Sequence, residues 1–139
     1  MTPIEFHAAI KSIERAKAVA AQARKREQPV PEDIRTILRA EFIANRAASE
    51  KTPDDWQRDI GRICPVLLRS RVAGFVWWDH FGSRSATERW AHLDEWMDSE
   101  QPDDEPVTRE QMEIGLVLAG YTPSRAKRRL AGGWSGGAA

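Results

Sequence analysis

Apolar residues recur at three- and four-residue intervals through most of the chain, and nearly every run is bounded by a residue that starts or stops a helix. Phe6, Ile10, Ile13, Ala16, Ala20 and Ala23 form one stripe, the spacing of an amphipathic helix. Thr2 as cap, Pro3 at the first position and Glu5 open it. Pro29 and Pro31 forbid continuation beyond Gln28. Its alanine-rich second half either receives a closely packed partner helix or projects into solvent. A second helix starts at Pro31, with Glu32 and Asp33 favourably placed for the dipole, presents Ile34, Ile37, Leu38 and Phe42 inward, and fades near Ser49. Thr52-Pro53 repeats the opening signature for a third helix with Trp56, Ile60 and Ile63 on its apolar side, ended or kinked at Pro65. Val66 to Phe81 is the most apolar stretch. Leu68, Val72, Phe75, Val76 and Asp79 keep helical spacing, whereas Val72 to Trp78 also reads as a strand. A lone strand would have no partner, so the expectation is helix.

Beyond a Gly82 cap, Ser85 and Glu88 form a capping box for a helix carrying Trp90, Leu93 and Met97. Thr108 and Gln111 form another box, opening a short helix that Gly120 ends. Thr122 and Pro123 open the last one. Met112, Leu116 and Ala119 are then placed to pack on Ala126 and Leu130. The expectation is an all-α, compact bundle of five or six helices ending in a helix-turn-helix-like hairpin. Residues 1–100 form the helical body, 101–107 an acidic linker, 108–131 the hairpin and 132–139 a flexible Gly-rich tail holding Trp134.

Composition narrows the class without naming a function. The 139 residues, 41% hydrophobic and 30% charged, suit a globular, water-soluble chain with a real core. No apolar run nears the roughly 20 residues of a membrane span, and Met1 to Ala9 lacks the basic and apolar regions of a secretory signal. A single cysteine, Cys64, excludes an internal disulfide, which suits a reducing cytoplasm. Net charge is zero but uneven: +2 over residues 1–50, −2 over 51–100, −3 over 101–107 and +3 over 108–139. Any nucleic-acid contact must therefore be local, and neutrality argues against a DNA mimic, which would need a strongly acidic surface.

The basic end is the candidate site. Ser124, Arg125, Lys127, Arg128 and Arg129 fall in the last helix, and Ser124, Arg125, Arg128 and Arg129 are expected to face outward together. Guanidinium groups so placed suit phosphates and guanine edges. The string Ala119-Gly120-Tyr121-Thr122-Pro123-Ser124-Arg125 resembles the turn of helix-turn-helix domains in phage small terminase subunits and small bacterial regulators. That resemblance covers roughly 20 residues and implies contact with double-stranded DNA. A homodimer formed through the Trp-bearing helices could make the same contact. The alternative is a terminal hairpin whose basic end only complements its own dipole.

Two other features point to a protein partner. Asp94 to Glu105 holds seven carboxylates, Asp103, Asp104 and Glu105 among them, with no Lys or Arg. It reads as a solvated linker, an internal competitor for the Arg cluster, or a docking surface for a basic partner. Six tryptophans include adjacent Trp77 and Trp78, which diverge by about 100° on a helix, so Trp77, Trp78 or Trp96 is expected at a surface where indole anchors a partner. Catalytic signatures are absent. His7, His80 and His92 are scattered, Glu88, His92 and Glu95 supply too few metal ligands, and no phosphate loop or nucleophile elbow occurs. The chain reads as a non-enzyme without cofactor.

Overall fold

The computed structural model describes residues 1–81 and 107–133, and within them the chain forms six α-helices and no strand. They are α1 (Pro3–Lys25), α2 (Glu32–Ser49), α3 (Pro53–Ile63), α4 (Val66–Phe81), α5 (Arg109–Ala119) and α6 (Pro123–Gly133). The starts follow local chemistry. Thr2 accepts the Glu5 amide hydrogen at 3.2 Å, and Thr52–Asp55 and Thr108–Gln111 form reciprocal capping boxes. Such caps satisfy amides that have no partner inside the helix, each contributing about 1 kcal/mol. Gly120, at φ 133°, ends α5 in a backbone conformation that L side chains rarely adopt. The helix predicted over Ser85 to Met97, the acidic linker and the tail with Trp134 lie outside the described residues.

The alanine-rich half of α1 packs on the same chain. Ala16 and Ala20 meet Ile34, with Val19, Val30, Ile37 and Leu38 around them, and small side chains let α2 approach closely. A larger core joins Phe6 and Ile10 of α1 to Ala48, Trp56, Ile60, Leu68, Val72, Val76, Trp77, Met112, Leu116, Ala126 and Leu130. The C-terminal pair thus shares its core with the N-terminal helices. Gly115 permits this: a Cβ there would stand 2.9 Å from Val72 and 3.3 Å from Leu68. Cys64 lies in the same core, where its Sγ donates to the Gly115 carbonyl at 3.5 Å and burial pushes the thiol up to about 11.

Two expected inward residues are not inward. Phe42 is 64% exposed. The inward face of α2 is set by Ile34, Glu41, Asn45 and Ala48, which leaves Phe42 about 80° from Ile34. Ile63 is also exposed, because Cys64, one turn after Ile60, takes the inward position. No helix among the described residues is long and apolar enough to cross a membrane.

Candidate nucleic-acid interface

α6 carries the candidate cations, and contacts from three helices fix which of them face water. Thr122 caps it, accepting the Arg125 amide hydrogen at 3.3 Å while donating to Asn45 Oδ1 at 2.9 Å. Ser124 donates to the Glu41 carboxylate. The Arg125 guanidinium turns the same way, donating to Ser49 Oγ at 3.1 Å and lying 5.6 Å from the centre of the Tyr121 ring. On another side Arg129 Nε stands 3.2 Å from Asp79 Oδ1, whose second oxygen accepts the Tyr121 hydroxyl at 2.6 Å. That carboxylate is only 3% exposed, so the pair is an internal tie between α4 and the C-terminal helices. Lys127 Nζ sits 3.9 Å from Glu14 Oε1 of α1, with both side chains exposed.

The expected outward cluster is therefore divided. Arg125 is folded onto α2 and Ser124 is half-buried against Glu41, while Arg129 is engaged by α4. Lys127, Arg128 and Arg129 remain exposed, Arg129 with its Nε turned to Asp79, and the Arg128 side chain has no ion pair or hydrogen bond among the described residues. Helical spacing correctly groups these side chains on adjoining faces, but it carries no information on which face meets a distant helix.

What the outward residues line is a groove of about 300 Å³ between α1 and the C-terminal pair. Ile10 and Ile13 supply apolar surface, Ser124 a hydroxyl, and Lys17, Arg109, Lys127 and Arg128 four cations against the single carboxylate of Glu14. A larger groove, about 360 Å³, lies on the other side of the α6 start, between α1 and α2. Its lining holds no Lys or Arg and one carboxyl group, that of Glu41, so it offers no cation to an anion. Charge, not size, distinguishes the two. Exposed cations along a concave apolar wall focus a positive field even on a neutral protein.

Lys17 and Arg109 were not among the residues singled out by sequence. Arg109 left one trace: a cation in the first turn of a helix opposes the helix dipole, so its placement there suggests a use elsewhere. Lys17 left none, since its role depends on α1 meeting α6.

The aromatic candidates separate as well. Trp77 is 1% exposed and belongs to the core, so it offers no surface to a partner. Trp78, one position on, is 46% exposed. Adjacent helix positions must diverge by about 100°, and the one that follows buried Ala73 by one turn went inside. Trp96, Asp103, Asp104 and Glu105 lie outside the described residues. Among the described residues no group of three or more His, Cys, Asp or Glu side chains is arranged to hold a metal ion.

No protein-family model matches the chain, and neither a curated protein nor a solved structure shows significant similarity to it.

Proposed function

We propose that the protein is a small, non-enzymatic DNA-binding accessory protein that seats the phosphate backbone of a duplex in the groove between α1 and α6. The observation that carries this reading is the convergence of Lys17, Arg109, Lys127 and Arg128 on one groove with a single opposing carboxylate. On this reading the α5–α6 pair serves as a helix-turn-helix-like hairpin, with its contact residues shifted from those of a helix laid freely in the major groove. Lys127 and Arg128 serve it, joined by Lys17 and Arg109, while Arg125 and Arg129 hold α6 in place. A site of this kind positions the protein on DNA and reads little sequence.

Fluorescence anisotropy with labelled mixed-sequence duplex DNA tests the reading. Wild-type binding should weaken steeply with salt, and the Lys17/Lys127/Arg128→Ala variant should lose roughly two to three units of the slope of log K against log salt, as expected for about three lost phosphate contacts. All three side chains are exposed, so the variant should fold. Wild-type-like affinity in a folded variant would overturn the proposal.

One observation favours a second reading, contact with another protein. Trp78 and Leu67 are both exposed and stand eleven positions apart, within about 20° on the face of α4. Sedimentation of the Trp78→Ala variant beside wild type would separate this reading from DNA binding.

A further inference from the structure

The two grooves beside the start of α6 share a wall: Ile13 of α1 and Ser124 of α6 line both. They run together as one trough with unlike ends. Toward the C-terminus of α6 it carries Lys17, Arg109, Lys127 and Arg128, with Glu14 the one carboxylate there. Toward the N-terminus of α6 it is lined by Ala9, Ile37, Ala40, Ala44 and Pro123, and by no cation. Along α1 the lining extends from Ala9 to Lys17, roughly 12 Å of helix.

Phosphate contact accounts for the basic end only. A DNA backbone is held by cations, and a wall of alanine, isoleucine and proline beyond them adds nothing to that attraction. The carboxyl group at the apolar end, Glu41, is already engaged: its Oε1 accepts the Thr122 hydroxyl at 3.2 Å and the Ser124 hydroxyl. Volumes of about 300 and 360 Å³ put each half at the lower end of the range for small-molecule sites, about 300–1,000 Å³. Such sites are mostly apolar and fix their ligand by a few placed polar groups.

We propose that the trough binds a free single-chain amphipathic anion, an alkyl carboxylate or alkyl phosphate. Its head lies among Lys17, Arg109, Lys127 and Arg128, and its chain passes Ile13 and Ser124 into the alanine-lined end. Charge complementarity fixes the direction, since an anionic head beside Glu41 would meet a carboxyl group and no cation. The head uses the same cations as a DNA phosphate, so the ligand displaces DNA. That displacement, unlike the binding itself, rests on the proposed reading of the groove.

Calorimetric titration of the wild-type protein with octyl phosphate, octanoate, octanol and inorganic phosphate tests the site without DNA. At least one octyl anion should bind roughly tenfold or more tightly than inorganic phosphate, because each fully buried methylene contributes roughly fourfold in affinity. It should exceed octanol, which lacks the charge, by a similar factor, and the stronger of the two octyl anions identifies the preferred head. Ala44→Phe, at an exposed position, fills the apolar end and should abolish octyl anion binding while leaving DNA affinity unchanged. Octyl anions no tighter than inorganic phosphate or octanol, or wild-type affinity for them in a folded Ala44→Phe variant, would overturn the inference and leave the DNA reading intact. Octyl anion binding lost in Ala44→Phe would support the site even if wild type bound no DNA. Where both ligands bind, failure of the octyl anion to displace labelled duplex would contradict the shared cations.

Discussion

Lys51 joins three contacts that no local pattern announces. Its ammonium donates to the Ala119 carbonyl at 2.6 Å, stands 2.8 Å from Asp59 Oδ2 and lies 4.4 Å from the centre of the Trp56 ring. It thereby satisfies the C-terminus of α5 from 68 positions away in sequence. Lys51→Met should cost about 2 kcal/mol, less than a fully orphaned buried pair because Arg58 and Arg62 also approach Asp59. The hydrogen bond from Lys51 holds the Asp59 carboxyl below its ordinary 3.8 against the opposing effect of burial. A depressed folded-state pKa contributes stability above the unfolded value and loses it as pH falls through the folded one. The urea midpoints of wild type and Lys51→Met should therefore differ most at neutral pH and converge below about pH 4; an equal gap at both would contradict this role. Caps such as Thr52, Thr108 and Thr122 were legible in the sequence because both partners lie within three or four residues. Lys51 was not, because its partners meet only in the folded chain.

At the scale of elements, the helix starts, the helical state of Val66 to Phe81 and the inward line of α4 could all be read from spacing and turn chemistry. The rotation of α2 and the orientation of α6 could not. Phe42 sits outside and Arg125 inside because α6 crosses α2 at Glu41, Asn45 and Ser49, a contact with no signature in either segment. The tie between Asp79 of α4 and Tyr121, ahead of α6, gives this docking a direct reporter. Tyr121 is the only tyrosine, and burial chiefly, with its hydrogen bond to Asp79 second, pushes its pKa far above the ordinary 10. By linkage, stability from a raised group is present below the unfolded value and lost as pH rises through the folded one. Alkaline titration should show phenolate absorbance only as the helices unfold. Phenolate formation near pH 10 with helicity unchanged would mean that the tie is open in solution.

For the molecule as a whole, the lesson concerns where charge collects. Net neutrality is real, yet folding brings Lys17 of α1 beside Arg109 and the basic end of α6, producing a field that regional charge sums could not locate. The same long-range packing joins Met112, Leu116 and Leu130 to a core that includes Phe6 and Trp56, so the groove is framed by a shared core. Its position is most directly tested by mapping amide chemical shifts on adding duplex DNA to the wild-type protein at low salt. Perturbations should concentrate on Ile10–Lys17 of α1, at Arg109 and on Ser124–Ala131 of α6. Perturbations gathered instead along α2 and α4, or none at saturating DNA, would contradict a DNA-binding groove between α1 and α6.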